Sequence, residues 1–296
     1  MISAQQVKEL REMTGAGMMD CKKALVETNG DMEKAVVWLR ERGIAKAAKK
    51  ESRIAAEGVC TYAIDGNLAA VYELNSETDF VAKNPVFKEL CENVGKAILS
   101  AKAKNDEEAL NAEFNGSKVS DMLVNATATI GEKITLRRVS LFEKNDSQVF
   151  GAYSHMGGKI VAFTILDGDN EEVAKDVCMH IAAMSPKYLS RDVVDQEYLA
   201  SETEIIRQEA LNENRESAKP KPETIIEKMI EGRVNKMLKE VCLLDQPFVK
   251  NPDETVGQYV ANHKCKIVLY VRLGVGEGIE KRKDDFVAEV MAAVNK

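Results

Sequence analysis

The chain has no Cys-x-x-Cys pair, only three histidines, and few aromatic side chains, 5% of 296 residues. None of His155, His180 and His263 stands at metal-ligand spacing from a cysteine pair, and the nearness of Cys178 to His180 fits one helix face. No metal and no cofactor is therefore expected. The six cysteines are scattered and read as reduced, mostly buried thiols of a cytosolic protein. No apolar run approaches the roughly 20 residues that a membrane-spanning helix needs. "MISAQQVKELREM" carries no signal-peptide pattern, so the expected location is cytoplasmic, with no membrane partner. Positive charge is also short: 41 basic against 48 acidic residues leave a net charge of −7, which argues against direct nucleic-acid binding. There is no Gly-x-Ser-x-Gly elbow, no triad and no dinucleotide fingerprint. "TGAG" (Thr14–Gly17) before "CKKAL" lacks both the spacing of a phosphate loop and a preceding strand. "GVGEG" (Gly274–Gly278) fits a strand end and turn. With no catalytic residues to assign, the chain reads as a protein that acts by binding rather than as an enzyme.

What is present is the composition of a globular α+β protein, long enough for two compact units and smaller attachments. Residues 1–45 read as three short helices. Asp31 is a good N-cap for the third, and Gly43 is its expected stop. The helices share a small core of Leu10, Leu25, Val36 and Leu39. The basic run "KAAKKESR" (Lys46–Arg53) then reads as a solvated linker. From Gly58 the pattern turns to strands, with a hairpin signal at "DGN". Asn84-Pro85 opens a helix whose apolar face is Phe87, Leu90, Val94 and Ile98. A variable polar region follows, then a strand, "KITLRRVSLFE".

The second half repeats the plan. A shift of 92 residues lays "GNLAAVYEL" (Gly66–Leu74) on "GKIVAFTIL" (Gly158–Leu166) and "VAK" at 81–83 on "VAK" at 173–175. The third strand recurs as "CKIVLYVRLGVGEG". The extra length belongs to two amphipathic helices, about 195–215 and 222–241, expected to form an antiparallel hairpin with a seam of Ile205, Leu211, Ile226 and Met237. The resulting division is 1–55, an N-terminal three-helix domain and linker; 56–141, a first core subdomain; 142–280, a second one with the hairpin inserted at about 187–247; and 281–296, a C-terminal helix.

Between the strand "LAAVYEL" and the helix at Pro85 lies "NSETDFVAKNP". Under the same shift Phe80 falls on Glu172 and Asp79 on Glu171. A duplicated fold that accepts Glu at this place counts against a purely structural Phe, although two copies of a fold can pack differently. The pattern leaves two readings open, a packed Phe and an exposed anchor for a partner's pocket.

Together, "VKELREMTGAGMMDCKKAL" (Val7–Leu25), "NSETDFVAKN", "GEKITLRRV" (Gly131–Val139), "DQPFV" (Asp245–Val249) and "VGEGIEK" (Val275–Lys281) resemble the bacterial elongation factor Ts family, nucleotide exchange factors of the GTPase elongation factor Tu. The resemblance covers nearly the whole chain and is weakest at "NDEEALNAEFNGSKVSD". It implies a ubiquitin-associated-like N-terminal domain, duplicated core subdomains with antiparallel sheets, a protruding helical hairpin and a C-terminal helical module. It also implies a role for the Thr78–Val81 turn: Phe80, with Asp79 as polar companion, enters the GTPase near its nucleotide's magnesium site. By the same resemblance His155, in "YSHMGGKI", and Met18 and Met19 are further contacts, with a C-terminal helix contact near Met291–Ala293. His155 as a turn cap, and Met18 and Met19 as small-domain core, remain open readings. So does a chaperone-like or scaffold protein as the competing class. Monomer, dimer and a heterotetramer with two GTPases are equally compatible with the sequence.

Overall fold

The structure, a computed structural model, describes residues 2–280. The expected C-terminal helix over 281–296, with its contact near Met291–Ala293, lies outside the described residues. Two compact units emerge. The first runs from the N-terminus through Glu143 and adds Met156–Ile160 and the segment from Leu273; the second comprises Lys144–His155 and Val161–Arg272.

In the first unit, α1 (Ala4–Thr14) starts from a capping box between Ser3 and Gln6 and ends at Gly15 with φ 66°. After it come α2 (Met18–Glu27) and α3 (Met32–Ala48), the latter capped by Asp31 as expected. Leu10 and Leu25 are fully buried, while Val36 and Leu39 pack partly buried against them. The helix α3 does not stop at Gly43. That glycine is buried within the helix, and a Cβ placed on it would stand 3.5 Å from the Ala128 Cβ, an ordinary packing distance. The basic run is not a free linker either. It forms the end of α3 and the turns after it, and its side chains reach partners distant in sequence: Lys46 pairs with Asp20 at 2.8 Å, Lys50 donates to the Gly131 carbonyl, and Arg53 pairs with Glu77.

The strands β1 (Glu57–Asp65) and β2 (Leu68–Ser76) pair antiparallel around Gly66, whose φ of 55° suits the tight turn. Then come α4 (Pro85–Ala101), α5 (Asp106–Asn111), a minimal hairpin of β3 (Glu113–Phe114) and β4 (Ser117–Lys118), and α6 (Val119–Ile130). The polar region thus holds a twelve-residue helix that sequence reading passed over; Val119, Leu123 and Ala126 are its buried stripe. Next, β5 (Thr135–Glu143) completes a sheet of order β1-β2-β5. A bulge opposite Val71 and Glu73 sets Arg138 at φ 56°, and its guanidinium reaches the buried Glu73 at 2.7 Å. The core lies between this sheet and α4 and α6. Phe87, Leu90, Val94 and Ile98 all lie in it, each worth about 1.5–3 kcal/mol of burial.

The second unit has the same plan. β6 (Gln148–His155) and β7 (Ile160–Asp167) precede α7 (Glu171–Met184), whose Ala174 backbone meets Gly151 so closely that a Cβ there would fall 2.5 Å from a carbonyl oxygen. The hairpin of α8 (Gln196–Glu216) and α9 (Glu223–Val241) follows. Its buried seam is Ala210, Ile226 and Ile230, with Leu211 and Val234 against it. Ile205 is exposed and Met237 half-buried, and neither joins the buried cluster. Beyond it lie β8 (Pro247–Phe248), β9 (Asn251–Thr255), α10 (Val256–Asn262) and β10 (Lys266–Gly274), and the sheet order is β10-β7-β6. Offsets carry β1, β2 and β5 onto β6, β7 and β10, so the two sheets share one order. The fold class is α+β, as expected.

A buried polar network closes the base of the hairpin. The Val249 N–H donates to His180 Nδ1 at 3.2 Å, which leaves His180 Nε2–H to donate to Gln246 Oε1 at 2.9 Å. Gln246 donates onward to the Glu240 carbonyl, while Phe248 stacks on Tyr259 at 4.1 Å. The "DQPFV" segment is thus a structural joint. Burial also lowers the imidazole pKa of His180.

Candidate functional site

The segment after β2 does not run straight into a helix. Residue Asn84 is held extended (φ −69°, ψ 129°) because the ring of Pro85 disfavours a helical conformation before it. The Asn84 side chain then accepts from the Val86 N–H at 2.9 Å and starts α4 there. The preceding residues close on themselves in a short 3-10 turn, Val81–Lys83, with Lys83 N–H donating to the Phe80 carbonyl at 3.2 Å.

This turn sorts its residues by depth. Val81 is 5% exposed and packs in the core of the first unit, so its methyls anchor the turn from below. Phe80, one residue earlier, is 77% exposed. Thr78 and Asp79 share the exposed crest. An exposed Phe next to a buried Val, on a hydrogen-bonded turn, is an apolar projection held ready at low conformational cost.

Four bonds fix the N-terminal side of the turn. The Ser76 hydroxyl donates to the Thr78 carbonyl at 2.9 Å. The Thr78 N–H and hydroxyl donate to the two carboxylate oxygens of Glu132, at 2.8 and 2.6 Å. Lys133 N–H donates to Glu77 at 2.7 Å. Sequence reading missed Glu132 and Glu77 as partners of this turn, because the bonds span 54 and 56 residues.

The other expected residues are not part of this turn. Met18 and Met19, on the first turn of α2, are 55% and 75% exposed and take no part in the small-domain core, which removes the core reading. His155 ends β6 in the second unit; it is exposed, and its Nδ1 lies 3.3 Å from the Tyr153 hydroxyl. The next residue, Met156, is also largely exposed, a second apolar projection that the sequence reading did not single out.

Nothing in this geometry is arranged as an acid–base or nucleophilic pair. Burial pushes the thiols of Cys60 and Cys91 up to about 12, so both are protonated and unreactive at neutral pH. Among the described residues no cluster of His, Cys, Asp or Glu could hold a metal ion, and no helix is long and apolar enough to cross a membrane.

Comparison with known proteins gives a concordant result. The family model described as "Elongation factor TS" matches residues 77–277, which begin at this turn and end in the last described segment. An elongation factor Ts of Acholeplasma laidlawii (strain PG-8A) is 54% identical over 296 residues, covering 100% of this chain and 99% of that protein. The chain belongs to the elongation factor Ts family.

Proposed function

We propose that this protein is a guanine nucleotide exchange factor that releases GDP from elongation factor Tu during translation elongation, with the Thr78–Val81 turn as its working element. The observation that carries this reading is the exposure of Phe80 on a turn whose next residue is buried and whose backbone is bonded on both sides. A GTPase holds GDP through phosphate-loop amides and a magnesium ion, so release is slow until those supports move. A factor that binds the empty GTPase more tightly than the GDP form weakens GDP by the same factor by which GDP weakens it. Phe80 supplies that differential binding by entering a pocket that exists only when the metal- and phosphate-supporting elements have shifted. Asp79 adds a polar contact beside it. Met18, Met19 and His155 supply affinity common to both states and hold the turn in place. Only binding energy is required, and no bond of the nucleotide is broken.

The decisive experiment is release of a fluorescent GDP from elongation factor Tu, with and without the protein. Acceleration at catalytic amounts of the factor supports exchange. A protein that binds the GTPase without accelerating release, or binds unfolded peptides instead, is a scaffold or a chaperone and overturns the reading.

A further inference from the structure

The last pairs of the β2–β5 ladder are Leu74 with Leu136 and Asn75 with Thr135. Continued in the same register, Glu77 falls opposite Lys133 and Thr78 opposite Glu132. Backbone pairing has stopped there, yet both positions remain bonded, now through side chains. The Glu77 carboxylate takes the Lys133 N–H, and the Glu132 carboxylate takes the Thr78 N–H and hydroxyl. Two side chains, one from each strand end, therefore extend the ladder as far as Thr78, two residues short of Phe80.

Glu132 itself is set on a firm base. The preceding Gly131, with φ 90°, closes α6 by donating to the Thr127 carbonyl at 3.1 Å. Two residues beyond Glu132, Ile134 N–H donates to the Thr127 hydroxyl at 3.1 Å. Its backbone is thus pinned to the end of α6 on both sides. The second half has no such arrangement. The 92-residue shift carries Thr78 to Asn170, whose side chain caps α7 through the Val173 N–H. The third-strand offset carries Glu132 to Lys264, which has no carboxylate to offer.

We propose that Glu132 is a positioning residue for Phe80: its two-point grip on Thr78 holds the exposed aromatic at one height and angle. This rests on the exchange reading above and concerns how the same turn is kept ready. A loose turn must be ordered on binding, and that cost falls on the state in which Phe80 is inserted. The test measures fluorescent GDP release from elongation factor Tu at subsaturating factor, with thermal melts of each variant. Glu132→Ala loses two charge-assisted bonds and is expected to slow stimulated release about tenfold, with an unchanged melt. Glu132→Gln retains both bonds, because the amide oxygen takes the N–H and the amide nitrogen donates to a reversed threonine hydroxyl. It should stay within about threefold of wild type. In the Phe80→Ala background, Glu132→Ala should add nothing further, since the grip acts only through that ring. A Glu132→Ala protein as fast as wild type, beside a slow Phe80→Ala protein, overturns the grip and leaves the wedge standing. So does a Glu132→Ala loss that multiplies the Phe80→Ala loss. A Phe80→Ala protein with wild-type release sinks the wedge and the grip together.

Discussion

The two halves of the core use the same three residues, Val-Ala-Lys, in different ways after their central strands. In the second half they lie in the first turn of α7, with Glu171 and Glu172 leading and Asn170 as cap. In the first half they form a separate 3-10 turn, and the helix waits until Pro85. Both valines point inward: Val81 is 5% exposed and Val173 1%. What differs is the residue before each valine and the residue that permits the helix. An acidic first turn suits a helix N-terminus, where the backbone dipole favours negative charge. A proline four residues on prevents that helix and leaves Phe80 outside it. A duplicated fold thus acquired a projecting side chain with one buried anchor retained and one helix start postponed.

The comparison can be broken first by contrasting two phenylalanines. Phe163, in β7, is fully buried, so Phe163→Ala should cost about 3–5 kcal/mol in a denaturant titration, whereas Phe80→Ala should cost less than about 0.5 kcal/mol. Equal costs would place Phe80 in a core. Next in size are the paired anchors. Val81→Ala and Val173→Ala should each lose about 2 kcal/mol, but only Val81→Ala should also slow nucleotide release. If both left exchange untouched, the buried valine would have no part in presenting Phe80.

Protonation offers a third test, confined to the second unit. His180 is buried there with Nδ1 committed as an acceptor from Val249. Burial lowers the folded-state pKa of His180, so the unfolded chain takes up a proton first as the pH falls. The stability it contributes is complete above the ordinary imidazole value of about 6.5 and is lost as the pH drops below it. Melts between about pH 8 and about pH 5 should show that decline, and His180→Gln should flatten it while lowering stability at neutral pH. The smallest effect belongs to Pro85→Ala. Removing the ring lets α4 grow toward Phe80, as α7 does in the other half, and should slow exchange a few-fold while changing stability by less than about 1 kcal/mol.

Local chemistry made most of the architecture legible. Asp31 and Asn84-Pro85 mark helix starts, and the 92-residue shift marks the duplicated sheets. Errors came where a residue answered to a distant partner. Gly43 resembles a stop but is a contact point for Ala128, far away in sequence. The buried stripe of α6, Val119, Leu123 and Ala126, begins within the polar run and packs in one core with α4, distant in sequence. At the turn, the shift sets Phe80 against Glu172 and counts against a purely structural Phe, but it contains neither the burial of Val81 nor the bonds from Thr78 to Glu132. Those facts depend on tertiary pairing that no local window contains.

The central claim is that Phe80 works outside the fold. The most direct measurement is stimulated GDP release from elongation factor Tu by Phe80→Ala, with Glu172→Ala as the control from the other half and melts of both. An interface anchor is worth about 2 kcal/mol or more, so release should slow at least about thirtyfold in Phe80→Ala, with its melt preserved and Glu172→Ala close to wild type. A Phe80→Ala protein that exchanges nucleotide like wild type, or that melts far lower, would contradict the account.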